Sequence, residues 1–151
     1  MKFLIQRVKK ASVVADGVLT GHIGKGFLVL LGATDSDDTT LCDKMIKKLM
    51  ALRIFQDENG KTNLSVTDVG GELLIVSQFT LYADCRKGNR PSFINAGNPK
   101  HASKMYDYVC NKIKEDYNID VQKGIFGADM EVELINDGPF TVMLDSDELF
   151  G

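Results

Sequence analysis

The residues best suited to chemistry are gathered in VSQFTLYADCRKGNRPSF, Val76 to Phe93, where Ser77, Gln78 and Thr80 follow directly on the apolar run Leu73, Leu74, Ile75, Val76. A serine or threonine nucleophile needs a base to take its proton, most often a histidine. The segment contains none. His22 and His101 are the chain's only histidines, and nothing in the sequence brings either one near. A strand end can offer backbone instead: N–H groups of Gln78, Phe79 and Thr80 without ladder partners would stabilise an oxyanion as a carbonyl is attacked. The competing reading is an ordinary strand terminus whose polar side chains satisfy their own backbone.

A second candidate is Asn136-Asp137-Gly138-Pro139. These residue types between two strand patterns predict a hairpin turn. An X-Pro bond is also the one kind with an appreciable cis population. In that state the adjacent carbonyls would form a fixed pair of acceptors. Arg7 shares strand parity with Phe3 and Ile5, which would turn its guanidinium toward the apolar side, where it needs acceptors to offset desolvation. In the alternative, Leu4 and Val8 face the core and Arg7 faces water.

Other chemistries are poorly supplied. The two histidines belong to no HExxH or similar cluster, and Cys42, Cys85 and Cys110 lie far apart with no CxxC pair. No metal site, no cofactor and no disulfide framework is therefore expected. No apolar stretch approaches the roughly 20 residues that span a bilayer, and MKFLIQRVKK is a charged strand pattern rather than a secretion signal, so a cytoplasmic protein without membrane contact is expected. The net charge of -3 argues against coating nucleic acid. Arg86, Lys87, Arg90, Lys100, His101 and Lys104 nevertheless form a locally basic segment, either a solvated face or a place for one phosphate-bearing end, while Asp145, Asp147 and Glu148 make the tail acidic.

The elements that must position these residues follow from periodicity. Lys2 to Val8, Ala11 to Ala15, Val18 to Ile23 and Phe27 to Leu31 read as a meander of short strands. Leu41, Met45, Ile46, Leu49 and Leu52 recur at helical spacing, predicting a helix over Asp37 to Arg53. Asn98 as N-cap and Pro99 in the first turn open a second helix with Ala102, Met105, Tyr106, Val109, Cys110 and Ile113 on its buried stripe. Asp57 to Gly60 is a turn, and Glu72 to Phe79 is a strand apolar on both faces, hence central. Met130 to Ile135 and Phe140 to Leu144 are strands flanking the Gly-Pro turn. The 151 residues show no linker or repeat, so one α+β domain is expected, a curved, largely antiparallel sheet or barrel with two main helices packed on it.

SQFTL (Ser77 to Leu81) and NDGPFT (Asn136 to Thr141) together resemble the two signature motifs of the D-aminoacyl-tRNA deacylase family. QRV (Gln6 to Val8), RKGNRPSF (Arg86 to Phe93) and GIFGADMEVEL (Gly124 to Leu134) also fall where that family has them, so the resemblance covers nearly the whole chain. Phe140 stands where valine is frequent. A related branch that clears L-alanine from mischarged tRNA has a first motif like PQATL, and SQFTL favours the D-specific branch. A non-enzymatic dimeric barrel that binds nucleotides or peptides at a strand edge is the alternative from another class.

The resemblance implies hydrolysis of the ester between a D-amino acid, or glycine, and the terminal ribose of tRNA, by a homodimer with active sites at the interface. Gly138 and Pro139 of one subunit, joined by a cis bond, would enter the site of the other and hold the α-amino group. Selectivity would come from excluding L side chains. Ser77, Gln78, Phe79 and Thr80 would supply the catalytic wall, Phe126 and Met130 would line the adenosine or aminoacyl pocket, and Arg7 would support the Gly-Pro loop. For Phe126 and Met130 the residues themselves equally suggest core packing.

Overall fold

The computed structural model describes residues 1–151. Three strands, β1 (Lys2–Ala15), β2 (Val18–Ile23) and β3 (Gly26–Gly32), lead into helix α1 (Thr39–Met50), a small ribbon of β4 (Phe55–Gln56) and β5 (Thr62–Leu64), and the central strand β6 (Glu72–Ser77). A 3-10 turn (Phe79–Tyr82) and a long loop separate β6 from α2 (Pro99–Tyr117). The chain ends in β7 (Val121–Lys123), β8 (Met130–Asp145) and the short α3 (Ser146–Phe150).

The main sheet runs β2-β1-β3-β6-β7, with β8 added along β1. Its pairings are antiparallel at β1–β2, β1–β3 and β1–β8 and parallel at β3–β6 and β6–β7. The result is a nearly closed mixed barrel with helices packed outside, the expected α+β class. The helices start where side chains cap them: Asp38 accepts from the Leu41 N–H and Asn98 from the Lys100 N–H, contacts worth about 1 kcal/mol each.

The first strand is one element, not two. Phe3 and Ile5 face the helices, whereas Val8, Ala11 and Val13 face the barrel interior. The interior-facing parity thus changes from even to odd across Lys9 and Lys10, where the register against β8 shifts and both lysines are exposed. One extra residue at a bulge flips the side-chain faces, so the two lysines mark a bulge rather than a turn.

The last strand corrects the expected hairpin. Thr141 to Asp145 pair with Gln6 to Lys2, and Met130 to Asn136 pair with Ala15 to Val8, so both halves run antiparallel to the same strand. Asp137 to Phe140 are an insertion opposite Arg7, a bulged ridge within one strand. Turn-forming residue types could not distinguish reversal of the chain from an insertion that leaves its direction unchanged.

Two cores result. Leu73 and Ile75 of β6 pack with α1 and α2 in the larger one, and Leu74 and Val76 pack in the barrel with Leu28, Val8 and Val13. Strand β6 is buried on both faces, as its apolar run predicts, but it ends at Ser77 rather than Phe79. Cys42 and Cys110 lie in the larger core, where burial pushes both thiols up to about 12. Tyr106 is anchored there by its hydroxyl, which donates to the Ile75 carbonyl at 2.6 Å.

Candidate active site

Strand β6 delivers Ser77, Gln78 and Phe79 to the rim of a cleft of about 320 Å³. The facing wall is Phe126 to Met130 with Val132, so five of the predicted residues, Ser77, Gln78, Phe79, Phe126 and Met130, line one cavity. Phe126 also packs against the larger core and Met130 against the barrel core. Each therefore packs inward and lines the cleft at once.

The backbone changes hand at the rim. The Gln78 N–H donates to the Leu31 carbonyl at 2.7 Å, so this group is occupied and the expectation that it is free is corrected. Phe79 and Thr80 open the 3-10 turn, and the first N–H groups of such a turn have no acceptor inside it. No loop, cap or side-chain acceptor meets either one. Two adjacent donors are left at the rim because the chain passes there from ladder to turn.

Thr80 is exposed and does not line the cleft. The Gln78 side-chain amide donates to its hydroxyl oxygen, which ties the two side chains together across the start of the turn. His101 is absent from the cleft and donates from Nε2 to the Asp37 carbonyl at 2.8 Å. No histidine accompanies the hydroxyls.

The facing loop is held in two ways that the sequence did not announce. Gly127 has φ +79°, where glycine is strongly favoured, and the Asp16 N–H donates to the Asp129 carbonyl at 3.0 Å. A Cβ on Gly124 would lie 2.5 Å from the Met130 sulfur, so a glycine there leaves room for the thioether beside the cleft. The three glycine and alanine residues Gly124, Gly127 and Ala128 were the available signal.

Gly138 and Pro139 are elsewhere. Both are exposed at the crest of the ridge, and the peptide between them is cis. Met130 and Asn136 are six residues apart on β8, about 20 Å along the strand, so crest and cleft do not meet within the chain. Arg7 is 5 % exposed and braces the ridge from below: Nε donates to the Asp137 carbonyl at 3.0 Å and Nη1 to the Ile54 carbonyl at 2.6 Å. Its guanidinium also lies 3.3 Å from the Asp137 carboxylate and 4.4 Å from the Phe140 ring centre. Asn136 donates to the Arg7 and Phe140 carbonyls at 3.1 and 3.3 Å, closing the base. Of the two readings of Arg7, the buried one holds. Asn136 is a brace that sequence reasoning passed over as a turn residue.

No group of three or more acidic, histidine or cysteine side chains could hold a metal ion. A cleft with paired backbone donors can stabilise a developing oxyanion, and its hydroxyls have no histidine beside them to act as a base. The family model described as D-Tyr-tRNA(Tyr) deacylase matches residues 4–145. D-aminoacyl-tRNA deacylases of Clostridioides difficile and Thermosipho melanesiensis are 52 % and 49 % identical over 150 residues, covering 99 % of this chain and all of each relative. A solved structure named as a c-Myc DNA unwinding element binding protein superposes with a TM-score of 0.90 at 39 % identity, covering 96 % of this chain and 98 % of its own. A probable eukaryotic D-amino acid tRNA deacylase shares the fold at a TM-score of 0.82 and 18 % identity, covering 95 % of this chain and 97 % of its own. The chain belongs to the D-aminoacyl-tRNA deacylase family, whose members are hydrolases of aminoacyl-tRNA esters.

Proposed function

We propose that the protein removes D-amino acids, and glycine, from the 3' end of tRNA in the cytoplasm, and that it works as a homodimer. The observation that carries this reading is the cleft itself, where Ser77 to Phe79 face Phe126 and Met130 beside the free N–H groups of Phe79 and Thr80. The terminal adenosine lies against Phe126 and Met130, and the ester carbonyl points at the two N–H groups. Water adds to the carbonyl carbon, the oxyanion is held by those donors, and the carbon–oxygen bond to ribose breaks as a proton passes to the leaving oxygen. The neighbouring 2'-hydroxyl positions the water and relays that proton.

The ridge supplies what the cleft lacks. In the β1–β8 ladder the Gly138 and Pro139 carbonyls have no register partner, and no loop or side-chain donor reaches them. Carried into the cleft of a second subunit, they accept from the substrate's α-amino group and leave a D side chain pointing outward. An L side chain meets the wall instead, so many D-amino acids are accepted and abundant L forms refused.

Incubation of the pure protein with matched D- and L-aminoacyl-tRNAs tests the reading. Release from the D form alone is expected. Release of L-alanine would place the protein in the related branch, and no release from either would make it a binding module. Sedimentation tests the dimer, which a monomer at working concentration would exclude.

A further inference from the structure

The 3-10 turn at Phe79–Tyr82 has a cleft on each side. Phe79 lines the one just described, and Leu81 and Tyr82 line a second of about 390 Å³ with Asp84, Cys85, Arg86 and Asn95. The loop beyond is folded back on itself by paired hydrogen bonds between Asp84 and Ser92 at 2.7 and 2.9 Å. It is also tied to the first cleft, because the Phe93 ring meets Phe79 edge to face at 5.1 Å. Apolar surface stands open there: Phe93 is 39 % exposed and Ile94 84 % exposed.

The same loop, with the first turns of α2 that follow it, concentrates positive charge. Residues 84–104 hold five lysines and arginines against the single carboxylate of Asp84, a local charge of +4 in a chain whose net charge is -3, so the remaining residues carry -7. Arg86 is engaged by the Asp84 carboxylate at 2.7 Å, whereas Lys87 and Arg90 are exposed and pair with no acidic group. Free cations beside exposed apolar side chains fit a single-stranded nucleic acid, whose phosphates need charge and whose bases need a flat apolar partner.

We propose that the second cleft and the loop behind it hold the nucleotides immediately preceding the terminal one, with Lys87 and Arg90 on their phosphates and Phe93 and Ile94 against a base. The inference rests on the reading of the first cleft as the ester site. The RNA strand crosses the 3-10 turn, which carries the oxyanion donors at one end and the wall of the second cleft at the other. Docking of the strand thereby registers the ester on the donors.

The test is Lys87→Ala/Arg90→Ala, compared with wild type and with Lys47→Ala/Lys48→Ala, a charge-matched change on α1. For the loop variant, KM for D-aminoacyl-tRNA should rise about tenfold with kcat little altered, and the slope of log KM against log salt should fall by about 1.4 for two single-strand phosphates. Its preference for the tRNA ester over a D-aminoacyl adenosine, which has no phosphate, should fall by the same factor. An unchanged KM, or equal losses on both substrates, overturns the proposal. Should wild type cleave neither D ester, the catalytic reading fails by itself. Binding of a short CCA-ended RNA then decides this one: weaker binding by the loop variant supports it and equal binding overturns it.

Discussion

The rim at Ser77 to Thr80 and the ridge at Asn136 to Phe140 both present backbone to solvent, but with opposite polarity. At the rim the free groups are donors, left when a ladder gives way to a 3-10 turn. At the ridge they are acceptors, left where four residues of β8 bulge out opposite one residue of β1. Side chains act differently in each: Gln78 and Thr80 bond each other at the exposed rim, while Arg7 and Asn136 brace the ridge from beneath. Backbone is the polar surface on offer in both places, which would suit a catalyst that must ignore the identity of its substrate's side chain. On the function proposed above, donors would meet an oxyanion and acceptors an ammonium group, and the two regions would complete a site only when brought together.

The largest effect should come from the substrate. If the rim supplies only donors, the group that handles the proton belongs to the terminal ribose, and a 2'-deoxy terminus should lower kcat by about 10²–10⁴-fold. Single-turnover hydrolysis of matched tRNAs measures it. A loss below tenfold would mean that a protein group moves the proton, and the contrast between rim and ridge would lose its chemical meaning.

Next comes the brace. Arg7→Ala removes two hydrogen bonds and an ion pair from a nearly buried guanidinium and leaves the mostly covered Asp137 carboxylate without its partner. Loss of one member of a fully buried pair costs about 3–5 kcal/mol; with Asp137 about a third exposed, about 2–3 kcal/mol is expected by urea unfolding. Discrimination between D and L esters, or dimerisation, should weaken as well. Normal stability with an unchanged D/L ratio would show the ridge to be held by its own backbone.

How far the sequence foretold these regions differs between them for a physical reason. Helices were legible because Asn98-Pro99 and the apolar stripes act locally, within a turn or two. The rim was legible as a boundary, since hydroxyls after Leu73 to Val76 signal the end of a buried strand, yet whether Gln78 or Phe79 is the last ladder residue depends on Leu31, 47 positions away. The ridge was misread as a hairpin because the direction of the second half is set by its pairing with Lys2 to Gln6, a contact between the two ends of the chain. Parity offered an inward Arg7 as one of two readings, and its burial decides between them. Parity could not reveal that Phe140 puts its ring beside that guanidinium. Residue types and spacing did not show that SQFTL and NDGPFT lie apart in one chain; only the family resemblance, with its Gly-Pro pair entering a second subunit, implied it.

A smaller effect is expected at the rim's own side chain. Thr80 is outside the cleft lining and its oxygen is already bonded by Gln78, so Thr80→Ala should keep the donor N–H and lower kcat by less than about tenfold, near the worth of one hydrogen bond. Complete inactivation without unfolding would make the hydroxyl a nucleophile, and rim and ridge would no longer be alike in acting through backbone.

The smallest effect separates the ridge's arginine–aspartate pair from the one beside the rim. Arg86 is 84 % exposed, yet hydrogen bonds from its side chain and its N–H hold the Asp84 carboxyl down at about 2, against an ordinary 3.8. A carboxyl depressed on folding contributes stability that is present above its ordinary value and lost as pH falls through the folded one, so this pair should loosen between about pH 4 and pH 2. Carboxyl NMR should place the Asp84 midpoint near 2 in the wild type and higher in Arg86→Ala, though still below 3.8 because the backbone N–H of residue 86 remains, with unfolding at neutral pH little changed because water screens the exposed pair. A loss of stability like that of Arg7→Ala would show that burial is not what distinguishes the two pairs. An unmoved midpoint would show that backbone donors, rather than the guanidinium, hold the Asp84 turn.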